Sequence, residues 1–175
     1  NQRQDDYGGS IRNRARLLLE VVRAIVDEIG AGRTGIRISP VTPANDIVDE
    51  DPQQLFDYLL HQLGPLGLAY VHVIEGATGG PRELPDRPFD YAALRAVYRK
   101  SGGQGAWMVN NGYDRALADA ALAAGADLVA FGRAFLANPD LVERLRTGAA
   151  LNPPDRNTFY GGGEHGYTDY PTLAT

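Results

Sequence analysis

The sequence predicts an α/β fold in which a parallel sheet is covered by helices, and three observations predict it. Short, nearly continuous apolar runs alternate four times with segments whose apolar residues recur at helical spacing. Glycine, proline or an acidic cap punctuates the junctions between the two kinds of segment. The length, 175 residues, falls short of a closed eight-stranded α/β barrel, which takes roughly 250 residues. It suits about half of one, or an open doubly wound sheet, and the pattern leaves both open.

The elements follow in order. Ser10 is an N-cap, and Ala15, Leu18, Leu19, Val22, Ile25, Val26 and Ile29 recur at helical spacing until Gly30 and Gly32. The β-branched run Gly35-Ile36-Arg37-Ile38-Ser39 is a strand closed by Pro40. Asp51-Pro52 starts a helix, an acidic cap with proline in the first turn, that runs to about Leu63. Ala69 to Ile74 is the second strand, and a Gly- and Pro-rich loop from Glu75 to Pro88 precedes a helix from about Phe89 to Lys100. Gly105 to Val109 is the third strand. Asp114 caps an alanine-rich helix that stops at Gly125, and Asp127 to Phe131 is the fourth strand. A last helix starts at Asn138-Pro139 and fades by Gly148; the tail from Leu151 shows no period. One leading helix plus four strand–helix units is half of an eight-fold barrel. Such a half exposes two strand edges and an apolar face, so a partner or another covering segment is expected.

Composition narrows the function classes. Lys and Arg total 17 against 22 Asp and Glu, a net charge of −5. Without a basic run, nucleic acid is a poor partner. No apolar stretch approaches the roughly 20 residues of a membrane helix, no secretory leader is recognised, and the absence of cysteine excludes disulfides and thiolate ligands within the chain. A cytoplasmic protein is expected. The polar run Asn1 to Asp6 leading into Tyr7-Gly8-Gly9-Ser10 reads as an internal segment.

Candidate site residues lie at the strand ends, where barrels and open sheets keep their chemistry. Arg37 sits within an apolar strand, where a guanidinium is costly unless it meets an anion or a neighbouring carboxylate. Asn111-Gly112 follows the third strand, and glycine lets backbone approach a ligand. The helix start at Asp114 offers further amides to a phosphate. Phe131-Gly132-Arg133 follows the fourth strand, with Arg133 available for a phosphate. No G-x-G-x-x-G follows a strand, so the dinucleotide fingerprint is missing. His61, His72 and His165 are scattered, and no metal pair is spaced among them.

Several segments together resemble the C-terminal part of Old Yellow Enzymes. They are Asn1 to Ser10 with Asn13-Arg14 and Leu19-Glu20, Gly35 to Pro40, Ala130 to Arg133, Asn138 to Leu141, Thr158 to Gly162, and Gly166 to Pro171. The bacterial alkene, nitrate-ester and N-ethylmaleimide reductases are the most similar group. The resemblance implies the C-terminal half of a (β/α)8 barrel that binds FMN, with residues 1–175 one half-barrel of a single domain. It implies that Arg37 faces the pyrimidine edge of the flavin, that backbone at Asn111, Gly112 and Gly132 with the Arg133 side chain holds the FMN phosphate, and that Tyr160 and Phe159 border the substrate pocket. The loop 75–88 would shape the pocket mouth. It further implies NADPH or NADH as hydride donor and an activated alkene as substrate. The substrate-activating His/Asn pair and the proton-donor tyrosine would lie upstream, so no catalytic residue is assignable within this chain. A complementary N-terminal half-barrel chain is the expected partner, and a higher oligomer is compatible with it. The alternative is a non-catalytic half-barrel module, or a self-associating phosphate-binding scaffold.

Overall fold

Ser10 opens the first helix in the computed structural model, which describes residues 1–44, 47–161 and 163–173. Its extended backbone lets the hydroxyl accept from the Asn13 amide, and α1 spans Ile11–Ile29. Ala15, Leu19 and Val22 are buried. Ile25 and Ile29, expected on the same apolar face, are instead exposed together with Leu17 and Val21. These four form a stripe along one side of the helix, at four-residue spacing.

The next elements follow the predicted order. β1 is Gly35–Ile38. Asp51 caps α2, Pro52–Leu63, by accepting from the Gln54 amide. β2 is Tyr70–Ile74. The third helix starts later than its apolar pattern suggests, because Asp90 caps it by accepting from Ala93, and α3 is Tyr91–Lys100. β3 is Ala106–Asn110, α4 is Arg115–Ala123 with Asp114 as its cap, and β4 is Leu128–Ala130. The predicted last helix is present, and a short helix that the pattern did not show precedes it. α5, Arg133–Ala137, comes before Asn138, and α6, Leu141–Thr147, begins after it. Five residues are too few for a period to be visible in sequence. The tail contributes one short 3₁₀ turn at Arg156–Thr158.

The strands lie in the order β1-β2-β3-β4. β1 pairs with β2, and β2 with β3, in parallel, placing Arg37 opposite His72 and His72 opposite Met108. Because side chains alternate between faces, this register divides the sheet cleanly. Ile38, Val71, Val73, Trp107 and Val109 point into the main core with Leu19 of α1, Leu59, Leu60 and Leu63 of α2, and Leu94 and Tyr98 of α3. The opposite face carries Arg37, Tyr70, His72, Met108 and Asn110; of these, Arg37 and Tyr70 are exposed. A parallel sheet is normally covered on both faces.

Close approach of backbone at the entry to β3 requires glycine. A methyl group on Gly105 would lie 2.1 Å from the Leu68 carbonyl oxygen, an atom that cannot move without disturbing β2. Gly105→Ala should therefore destabilise the protein by about 2–3 kcal/mol, read as a lower denaturant midpoint; an unchanged midpoint would show that the backbone yields freely.

The chain divides into two compact units, Asn1–Val129 and Ala130–Thr175. The first is held by helix-on-sheet packing. The second is held by polar side chains. Asn138, fully buried, donates to the Ala134 and Asn152 carbonyls and accepts from the Asn152 amide at 2.7 Å. Arg144, 5% exposed, donates to Asp140, to the Ala150 carbonyl and to the Pro171 carbonyl. These bonds tie the tail back to α5 and α6.

Candidate active site

The first unit gathers its polar side chains where β2 and β3 end. β3 finishes at Asn110, and the next two residues both adopt positive φ, 108° at Asn111 and 68° at Gly112. Asn111 is the one non-glycine residue with positive φ among the described residues, a conformation that persists only where surrounding contacts enforce it. Its own side chain supplies those contacts. The amide nitrogen donates to the carbonyls of Glu75 at 2.6 Å, Ala77 at 2.8 Å and Gly80 at 3.4 Å. The amide oxygen accepts from the Gly79 N–H at 3.2 Å.

A second tie runs beside the first. Glu75, buried at the end of β2, accepts from Arg82 at 2.8 Å and from the Tyr113 hydroxyl at 2.8 Å. The Arg82 guanidinium also lies over the Tyr113 ring, 4.4 Å from its centre. Burial, then the hydrogen bond to Glu75 and its charge, push the Tyr113 hydroxyl far above the usual phenol range, so it stays protonated and donates. Tyr91 accepts from the Gly76 amide at 2.7 Å. The loop 75–88 is thus fastened to the β3–α4 turn and to α3. A cleft of about 410 Å³ opens against it, lined by Val41, Glu75, Leu84, Pro88, Phe89 and Tyr91 among others. A second cleft, about 720 Å³, is lined by Arg14, Val41, Ile47, Asp49 and Phe56 among others, and by none of the predicted cofactor residues.

One predicted feature needs correction. Arg37 is exposed, not buried, and makes no hydrogen bond or ion pair among the described residues. The buried salt bridge that its apolar strand suggested is therefore not present. Its charge is still felt by its register neighbour. The His72 ring is held below its ordinary pKa, first by burial and then by Arg37, with the neighbouring Asn110 side chain acting the other way. At the start of α4 the Asp114 carboxylate accepts from the Leu117 amide at 2.8 Å, which takes up one of the amides there. A Cβ at Gly112 would meet nothing nearer than Arg82 at 3.8 Å, so a ligand could reach its amide.

In the second unit, Gly132 is exposed with nothing within 4 Å of its Cβ position. Arg133, the first residue of α5, is half-buried and has no hydrogen bond or ion pair among the described residues. Phe159 is partly buried and Tyr160 is 93% exposed. Sequence reasoning missed the Glu75–Arg82–Tyr113 network, the grip of the Asn111 side chain, and the Asn138–Asn152 pairing. An acid directly after an apolar strand was the available signal for the first. The other two had none.

Comparison with known proteins then decides the family. Residues 1–152 match the family described as NADH:flavin oxidoreductase / NADH oxidase. The chain belongs to this family. A probable flavin mononucleotide-dependent alkene reductase of Leishmania infantum is 42% identical, aligned over 99% of this chain and 45% of the relative. Morphinone reductase, solved in complex with tetrahydroNAD, is 46% identical with a TM-score of 0.85, covering 99% of this chain and 45% of that one. An Old Yellow Enzyme homologue from Zymomonas mobilis is 37% identical with a TM-score of 0.89, over 99% and 48% respectively. The chain spans about half the length of the curated relatives it matches. Its parallel strand–helix units therefore correspond to half of a flavin oxidoreductase barrel, which resolves the choice between open sheet and barrel left by the sequence pattern. Among the described residues, no helix is long and apolar enough to cross a membrane.

Proposed function

We propose that this chain is the C-terminal half of an FMN-dependent ene-reductase, and that it works together with a complementary N-terminal half-barrel. FMN would supply a hydride relay, from NADPH or NADH to the β-carbon of an alkene activated by a carbonyl or nitro group, as in enones, maleimides and nitroalkenes. The observation that carries this reading is Arg37, a guanidinium exposed on the sheet face opposite the main core and unpartnered among the described residues. A cation in that position stabilises negative charge brought against the sheet, and a reduced flavin carries such charge on its pyrimidine edge. Taken unit by unit, the open backbone of Gly112 in the first, and that of Gly132 with Arg133, unpaired among the described residues, in the second, would each suit a phosphate such as that of FMN. Phe159, partly buried, and Tyr160, exposed, would border the substrate. The acid that protonates the α-carbon and the groups that bind the activating substituent would come from the complementary half.

The need for a complement is supported by the apolar stripe Leu17, Val21, Ile25 and Ile29 on α1, each more than 40% exposed. A stripe of that kind on a soluble protein is normally buried against another element. The names of two relatives, an FMN-dependent alkene reductase and a reductase crystallised with a nicotinamide analogue, support the cofactor and donor classes.

The test is Arg37→Met in the complete enzyme. The variant should retain FMN but be reduced by NADPH or NADH about 10–100-fold more slowly, followed as bleaching of the flavin absorbance in stopped flow. A wild-type protein that takes up no FMN even with both halves present, and runs as a colourless homodimer, would instead favour a non-catalytic scaffold.

A further inference from the structure

The Asn111 side chain joins two parts of the molecule that the proposed function uses separately. Its amide holds the carbonyls of Glu75, Ala77 and Gly80 and the N–H of Gly79, so the first six residues of the loop 75–88 hang on one side chain. Its backbone, at φ 108°, forms the turn that presents Gly112. Beyond that turn, Tyr113 grips Glu75 and Arg82, which brackets the same loop from the other side. A displacement of the loop must pull on the Asn111 amide, and a change in the turn must move the carbonyls it holds.

We propose that Asn111 is a positioning residue that couples the phosphate-binding turn to the loop 75–88, so that occupation of the turn orders the loop and the conformation of the loop sets the affinity of the turn. This rests on the FMN reading above. Coupling of this kind is reciprocal: whatever cofactor binding does to the loop, loop ordering returns to cofactor affinity by the same factor. Asparagine suits the post on two counts. It tolerates positive φ better than most residues, and its amide offers two donors and an acceptor to meet three carbonyls and one N–H. Aspartate has the same shape but no donor, and would turn a carboxylate toward those carbonyls.

The test compares the complete wild-type enzyme with Asn111→Asp and Asn111→Gly, the glycine variant removing the amide while relieving the positive φ. Two quantities are read: the Kd for FMN, from quenching of flavin fluorescence, and amide hydrogen exchange across residues 76–88 with and without FMN. In wild type, FMN should slow exchange in the loop. In both variants that protection should vanish and the Kd should rise on the order of tenfold, while exchange in α2 stays unchanged, which separates lost coupling from general loosening. FMN-dependent protection that persists in both variants would overturn the coupling and leave the FMN reading intact. A wild-type enzyme that binds no FMN would overturn both.

Discussion

Arg133→Ala in the complete enzyme should raise the Kd for FMN by about two orders of magnitude while leaving the thermal midpoint of the FMN-free protein where it was. A hydrogen bond between a guanidinium and a phosphate is charged on both sides, and hydrogen bonds to charged groups contribute roughly 1.5–3 kcal/mol, or about ten- to a hundred-and-fifty-fold in affinity. The unchanged midpoint is the other half of the expectation. Arg133 makes no hydrogen bond or ion pair among the described residues, so its removal breaks no polar contact among them. Arg133→Lys should recover part of the affinity, because the charge remains but the planar two-pronged donor does not. Equilibrium dialysis or fluorescence titration would decide it. A Kd within threefold of wild type would remove Arg133 from the site.

Leu60→Ala should cost roughly 3–5 kcal/mol of folding stability, the largest stability effect we expect from a single truncation in this chain. Leu60 has no exposed surface, and it belongs to the core cluster of α2 with the sheet residues Val71 and Val73 and with Leu94 and Tyr98 of α3. Neighbours so tightly placed cannot collapse to fill the space of a lost isobutyl group. Denaturant unfolding of the complete enzyme reads the change. A loss below about 1 kcal/mol would mean that the core relaxes around the gap and is looser than its burial indicates. Because the side chain lies on the helix-facing side of the sheet, FMN affinity of the folded variant should be unaffected.

Much of the scaffold was legible because its determinants are local. Ser10, Asp51 and Asp114 each accept from the amide three residues on, as the cap pattern predicted. The four apolar runs are the four strands, each within one or two residues of its predicted ends. The short helix α5 escaped notice because five residues show no period, and the bonds of Asn138 to Asn152 did so because the two lie fourteen positions apart.

The same division runs through the site. Sequence determined the residue types at the strand ends, the strand–helix alternation and the family signature, since each depends on neighbours in the chain and on spacing. Only tertiary structure decided that Arg37 lies exposed opposite His72, that Glu75 is held by Tyr113 from 38 positions away, and that Asn111 spends its side chain on the loop while its backbone turns toward Gly112. Such pairings arise when packing brings distant segments within hydrogen-bonding reach, typically about 3 Å, and no periodicity along one chain encodes that distance.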